Sequence, residues 1–235
     1  MKTYPIGTVV VPCQTLARYS RFALSLATVD LPDGSLVVMR ESMDVTSALN
    51  DVISNEMVGE WLWIMGDDHV FHQRMLLDLL DRDVDVVVPL CAKKSPPFRL
   101  VAFSDSELRE HDDGVEYPHY TYLDLETLPE GGLVEVHAAG SAGMLVRKRV
   151  LDAVGEPWFE NSAGTVINDD LEFCRKVREA GFKIHLDVEQ SLGHIGAFTV
   201  YPSQRDGVWG ITFDFGGKGT NAIFMAAQLT EGAPA

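Results

Sequence analysis

The chain has 235 residues, 46% hydrophobic and 23% charged, a balance that suits a globular protein built as one extended α/β domain. No apolar run reaches the ~18–20 residues of a membrane-spanning helix, and the start MKTYPIGTVVVPC lacks the apolar stretch and cleavage site of a signal peptide, which predicts a soluble cytoplasmic protein with no membrane partner. The formal charge of −16, from 35 acidic against 19 basic residues, works against duplex binding through a broad basic face, while Lys93-Lys94 with Arg99 and Arg147-Lys148-Arg149 remain as local clusters able to meet phosphates. Cys13, Cys91 and Cys174 are scattered without C-x-x-C spacing, which points to a reducing compartment and to neither a disulfide framework nor a zinc knuckle.

In chain order, the β-branched run Ile6 to Val11 reads as a buried strand closed by Pro12. Residues 15–28 space Leu16, Tyr19, Phe22, Ala23 and Leu26 at the helix period, and SLVVMR (35–40) is a second strand after the turn Pro32-Asp33-Gly34. A helix is predicted over 44–58, opened by Asp44 as N-cap, and WLWIM (61–65), too short for a helix before Gly66, reads as a strand. A further helix (73–81) and the apolar strand VDVVVPL (84–90) complete four strands alternating with three helices, the pattern of a parallel sheet covered on both faces. Strands are predicted at 98–103 and 133–137 around an acidic stretch (105–131) read as a long surface loop or hairpin. Helices follow at 147–153 and at 168–180, the latter capped by Asn168 and closed by Gly181, then a strand at 182–188. The glycine- and aromatic-rich tail is expected to pack over the site or to be partly mobile.

In sheets of this kind ligands bind beyond the carboxyl ends of the strands, and Asp67, Asp68 and His69 stand just past such an end. Adjacent carboxylates repel unless a cation or solvent compensates them. They read either as a helix cap or, with the imidazole beside them, as ligands for Mn²⁺ or Mg²⁺ bound together with substrate phosphates. His194, flanked by Gly193 and Gly196, follows a strand in the same way and is a candidate to complete a metal site. Asp169, Asp170 and Glu172 crowd the first turn of the predicted helix at 168–180, where the helix dipole alone favours acids, and where a carboxylate over a crevice is also placed to accept a proton from a hydroxyl.

The blocks VVVPCQ, WLWIMGDDHVF, SAGMLVRKRVLDAVGEPWF, NDDLEFCRKVREAGFKI and LGHIG, in this order across 6–196, resemble the GT-A glycosyltransferases, in particular the small family 2-like members frequent in phage and bacterial genomes. The resemblance implies an α/β GT-A fold with a mixed central sheet: a catalytic domain over 1–196, divided into a nucleotide-sugar-binding half (1–97) and an acceptor-side half (98–196), and a C-terminal tail (197–235). It implies a divalent-metal-dependent enzyme that moves a sugar from a nucleotide diphosphate, UDP favoured, to an acceptor hydroxyl with inversion. Asp170 matches the catalytic base and Asp169 its acidic neighbour. Asp67, Asp68, His69 and His194 match the metal positions, in one of two registers: Asp68 alone, or Asp67-x-His69. Pro12, Arg40 and Glu41 match positions that cradle base and ribose, Lys93 and Lys94 are candidates for phosphate or acceptor contacts, and Gly143 and Trp158 would shape the sugar pocket. The acceptor implied is a hydroxymethylated pyrimidine in phage DNA, with the protein then in the host cytoplasm, or a hydroxyl of a glycan or protein. A nucleotidyltransferase acting on a sugar phosphate would share the nucleotide-binding half, but VVPCQTLARYSR lacks the glycine-rich phosphate loop expected there. A non-catalytic nucleotide-sugar-binding protein would have no need of Asp67, Asp68, Asp170 and His194 together.

Overall fold

A computed structural model describes residues 3–13, 20–41, 44–95, 97–110, 116–161, 168–196, 198–215 and 222–226. In chain order they form β1 (Thr8–Cys13), α1 (Ser20–Thr28), β2 (Leu36–Glu41), α2 (Val45–Asn55), β3 (Trp61–Ile64), β4 (His69–Val70), α3 (Met75–Asp81) and β5 (Val86–Cys91). The second half continues with β6 (Ala102–Glu110), β7 (Glu116–Tyr122), β8 (Leu133–Val136), β9 (Ala138–Ala139), β10 (Leu145–Arg147), α4 (Lys148–Val154), α5 (Asp169–Glu179), β11 (Ile184–His194), β12 (Thr199–Arg205), β13 (Val208–Asp214) and β14 (Ala222–Ala226).

The central sheet runs β2-β1-β3-β10-β5-β11-β4, with β8 also paired to β11. β1, β3 and β5 are almost wholly apolar and are buried on both faces, and the period of two divides their side chains between two cores. Val10, Leu62, Ile64, Val86 and Val88 face one core with Phe159 and Phe173, whereas Val9, Val11, Trp61, Trp63 and Val87 face the other with Leu76 and Leu79. Each such side chain removed from water contributes about 1.5–3 kcal/mol before entropy is counted. The two buried indoles are satisfied, Trp61 Nε1 donating to Pro5 O at 3.0 Å and Trp63 Nε1 to Gly143 O at 3.1 Å.

The sheet is mixed. β1 runs parallel to β2 and β3, and β5 parallel to β11, but β10 lies antiparallel between β3 and β5, so β3, β5 and β11 all end at one rim. Chain entering β10 must turn tightly there, and Gly143 does so at φ 74°, where a Cβ would sit 2.6 Å from Pro89 Cγ. Only glycine meets both demands.

Several boundaries depart from those expected. β1 continues through Pro12, which sits opposite Arg40 at the end of the ladder, where a missing N–H costs little. The helix predicted at 15–28 is α1 from Ser20, residues 14–19 lying outside the described ones. α2 is capped as expected, Ser47 N–H donating to Asp44 Oδ1 at 3.0 Å, and ends at Asn55. The strand expected over 98–103 begins only at Ala102, because Phe98 turns the chain with φ 53° and its N–H donates to Ser95 O at 3.0 Å. The acidic stretch is the hairpin β6–β7, residues 111–115 lying outside the description, and β6 also pairs with β9. Asn168 precedes α5 but its side chain makes no capping bond; the first turn is closed by the Asn168 carbonyl, which accepts from Leu171 and Glu172 N–H at 3.1 Å each. In the C-terminal region β12, β13 and β14 form an antiparallel sheet, and Phe215 stacks edge-on against Phe98 with centroids 5.1 Å apart; residues 216–221 and 227–235 are outside the described ones. No helix among the described residues is long and apolar enough to cross a membrane.

Candidate active site

The rim shared by β3, β5 and β11 gathers side chains far apart in sequence. Asp67 and Asp68 occupy the turn after β3, His69 opens β4, Cys91 ends β5 and His194 ends β11. β4 pairs antiparallel with the end of β11, placing His194 directly opposite His69, and the two rings stack with centroids 4.5 Å apart. Ile195 N–H donates to Asp68 O at 2.7 Å and pins the turn to the strand. Gly66 makes the turn possible, because a Cβ there would lie 2.8 Å from His69 Nδ1.

Hydrogen bonding settles the histidine tautomers. His194 Nδ1 lies 2.9 Å from Ala92 O and His69 Nδ1 lies 3.2 Å from Gly66 O; a carbonyl only accepts, so each Nδ1 carries a proton. Each ring is thereby oriented by a backbone carbonyl and turns Nε2 to its other side, the arrangement that prepares imidazole for a metal. His194 Nε2 faces Asp68 Oδ2 at 3.2 Å, and two lone pairs cannot stand there without a cation between them, a proton or a metal ion. His69 Nε2 is buried with no hydrogen-bond partner. Among the described residues, donor atoms of His69, Cys91 and His194 lie within 4.8 Å of one another, close enough to share a divalent cation, with Asp68 beside His194.

In the absence of a metal, protons and lysine supply the charge. Hydrogen bonds to Asp68, then to Cys91, raise His194 to about 10. Burial lowers His69, but Asp68 and Cys91 outweigh it and the group rises to about 8. Burial pushes Asp68 up, and His194, His69 and Lys94 together hold it well below the usual carboxylate range. Lys94 Nζ lies 2.6 Å from Asp68 Oδ2. Burial likewise raises Cys91, yet the two imidazoles hold its thiol below the ordinary value.

Asp170 packs against the segment that leads to β10. It stands in the first turn of α5, its Oδ1 accepting from Leu171 N–H at 2.8 Å, and a Cβ on Gly140, in the segment leading to β10, would be 3.4 Å from its Oδ2. Burial and the neighbouring Asp169 charge raise its pKa to about 6. Asp169 is tied to the start of α2, Thr46 Oγ1 donating to its Oδ2 at 3.0 Å.

The other sequence candidates are distributed around this rim. Pro12 pairs with Arg40, and Cys13 with Glu41, where β1 and β2 end; the Arg40 guanidinium is bound to Asp51 at 2.8 Å and to Glu56. Lys93 donates to the Tyr122 hydroxyl at 2.5 Å, and Arg99 lies over the Tyr122 ring at 5.1 Å, so the hairpin closes on this side. A hollow of about 270 Å³ beside His194 is lined by Lys93, Lys94, Phe98, Phe198 and Phe215 among others. Gly143 supports the rim from below, against Pro89 and Leu192. Trp158 has its contacts elsewhere: its indole N–H donates to Leu151 O at 2.8 Å and its backbone N–H to Asn50 Oδ1 at 3.1 Å, between α4 and α2. Cys91 was not among the candidates. Its signal in the sequence is its position as the last residue of an apolar strand, one residue before Lys93-Lys94.

No protein-family model and no curated protein matches the chain. Solved structures do. GalNAc-T7, crystallised with UDP, GalNAc and Mn²⁺, aligns with 85% of the chain at 11% identity and a TM-score of 0.53, and TarS of S. aureus (residues 1–349) with 80% at 13% identity and a TM-score of 0.52. The fold is that of the GT-A glycosyltransferases. A197 from STIV, also at 11% identity and a TM-score of 0.53, matches 81% of the chain and 85% of its own length. The match covers 44% of GalNAc-T7 and 59% of the TarS fragment, so the chain spans less than two thirds of each.

Proposed function

We propose that this protein is a glycosyltransferase that moves a sugar from a nucleoside diphosphate, a UDP-sugar by preference, to an acceptor hydroxyl, with a divalent cation at the Asp68–His194 rim. The observation that carries the proposal is the pair itself: at the ligand-binding edge of a GT-A sheet, a carboxylate oxygen and an imidazole Nε2 face each other at 3.2 Å in an arrangement that requires a positive charge. GalNAc-T7, similar in fold, was crystallised with UDP and Mn²⁺, which supports a nucleotide and a cation as joint occupants.

Each residue has a defined task in this reading. Asp68, His194 and His69 hold the cation, with Asp67 beside them, and a cation bound there offsets the charge that develops on the leaving diphosphate. Lys94, already paired with Asp68, is within reach of the same phosphates. Pro12, Arg40 and Glu41 border the nucleotide at the ends of β1 and β2. Asp170 accepts the acceptor hydroxyl proton as the new oxygen–C1 bond forms and the C1–O bond to the diphosphate breaks, releasing the nucleoside diphosphate with inversion at C1. The acceptor in this proposal is a hydroxyl on a modified pyrimidine of DNA, on a glycan or on a protein.

Thermal unfolding of the purified protein with UDP, GDP and their sugars, each with and without Mn²⁺ or Mg²⁺, tests the reading through the linkage of binding to stability. A shift that needs both a nucleotide and a metal supports it. Stabilisation by no pair, or turnover of a nucleoside triphosphate that releases pyrophosphate, overturns it.

A further inference from the structure

The three donors gathered at the rim, two buried and one half-buried, are not those of an oxygen-only site. One donor atom from each of His69, Cys91 and His194 lies within 4.8 Å of the other two. Cys91 is 9% exposed, and its thiol, 3.8 Å from Ala92 O, also interacts with the His69 and His194 imidazoles. His69 is 4% exposed, its Nδ1 faces Asp68 Oδ1 at 3.0 Å and Gly66 O at 3.2 Å, and its Nε2 is buried without a nitrogen or oxygen partner. An unpaired imidazole nitrogen buried beside a thiol costs free energy that an ion would recover. His194 adds a second imidazole, oriented by Ala92 O.

Ligand softness then selects among ions. Mg²⁺ requires near-octahedral oxygen and retains its waters, and Mn²⁺ stands lowest of the first-row divalent ions at nitrogen–sulfur sites, whereas two imidazoles and a thiolate suit Zn²⁺, Co²⁺ or Fe²⁺. We propose that His69, Cys91 and His194 form a three-ligand nitrogen–sulfur site for a zinc-type divalent ion, with its fourth position taken by an oxygen from Asp68 or from the bound phosphate. The proposal rests on the glycosyl-transfer reading for the ion's role but not for its presence. Zn–N distances of about 2.0–2.1 Å and Zn–S of about 2.3 Å place tetrahedral donors roughly 3.3–3.6 Å apart, so loading draws the three side chains together by about 1 Å. The stacked rings, 4.5 Å apart, tilt toward one another as they do so.

The test is the absorption spectrum of the metal-free full chain titrated with Co²⁺. A 1:1 complex with a thiolate-to-cobalt charge-transfer band in the near ultraviolet and the intense visible bands of a tetrahedral ion is expected, displaced by one equivalent of Zn²⁺ and resistant to excess Mn²⁺. Cys91→Ser should abolish the charge-transfer band and weaken Zn²⁺ binding at least about tenfold, while Cys13→Ser retains both. A weak octahedral spectrum without the band in the wild-type protein overturns the proposal, and this outcome requires no variant to fold. A band that survives in Cys91→Ser overturns it as well. The two readings separate cleanly: nucleotide-dependent stabilisation by Mn²⁺, equal in wild type and Cys91→Ser and without a cobalt–thiolate band, leaves glycosyl transfer standing and removes the nitrogen–sulfur site. A band in a protein that no nucleotide stabilises does the reverse.

Discussion

His69 and His194 stand opposite each other in the short ladder between β4 and β11, and each presents Nδ1 to a backbone carbonyl, Gly66 O at 3.2 Å and Ala92 O at 2.9 Å. The ladder and the two carbonyls orient both rings, and Asp68 stands beside His194 as a counter-charge. Asp68→Asn retains the shape of the side chain and removes the charge that His194 and Lys94 share. The expected result is a folded protein, judged by circular dichroism, in which the joint thermal shift from UDP and a divalent ion has vanished. A full shift in Asp68→Asn would remove this carboxylate from the binding site.

Asp170 predicts a pH dependence. With its pKa raised to about 6, a catalytic base at this position is half protonated near that pH, so kcat/KM should rise about tenfold per unit below it and level off above. The same shift bears on folding. A carboxyl that holds its proton more tightly in the folded chain favours folding below its ordinary value of 3.8, and that contribution is lost as pH rises through about 6. Asp170→Asn should therefore abolish transfer yet stabilise the fold at pH 7 and above, on the order of 1 kcal/mol or about 2–4 °C in Tm. Near-normal turnover in this variant would end the assignment of the base.

Much of this architecture was legible because its strands are buried on both faces. VVVPC, WLWI and VVVPLC are apolar at every position, and the helices between them repeat at the helix period, so the alternating plan followed from pattern alone. The rim position of Asp68 and His194 followed from the same plan. What the pattern did not contain were the pairings. β10 has three residues and β4 two, too short for any period, and their partners lie far away in sequence. Cys91 looked inert for a related reason: its two histidine neighbours come from other strands. The hairpin β6–β7 was legible only as a loop or hairpin, because most of β6 is exposed and β7 is only half-buried, so no clear apolar face marks either strand.

The entry to β10 offers a test of the fold itself. Gly143 combines φ 74° with a Cβ direction 2.6 Å from Pro89 Cγ, and Pro89 is held within β5. Gly143→Ala pays for both strain and overlap, and a loss of about 1–3 kcal/mol in urea unfolding is expected. Because Trp63 Nε1 donates to Gly143 O at 3.1 Å, the fluorescence of that buried indole should change in the native baseline. An unchanged midpoint would mean that the turn relaxes freely.

The bulge in β11 connects the sheet to the site. Pairing of β11 with β5 shifts between Asp187 and Ser191, and at that point Asp187, fully buried, accepts from Arg82 Nε at 2.7 Å and Nη2 at 2.9 Å. Arg82 Nη2 also donates to Glu189 Oε2 at 2.5 Å, and Glu189 N–H donates to Asp187 Oδ1 at 3.1 Å, so one guanidinium holds both acids of the bulge. Removing it strands a buried carboxylate, and Arg82→Ala should cost about 3–5 kcal/mol. Beyond the bulge lies His194, whose height opposite His69 depends on where β11 resumes its pairing. Arg82→Lys, which retains the charge but loses the fork, should leave the protein folded and weaken metal binding while sparing nucleotide contacts at β1 and β2. Metal affinity equal to wild type in Arg82→Lys would show that the β4–β11 ladder sets the histidine pair without help from the bulge.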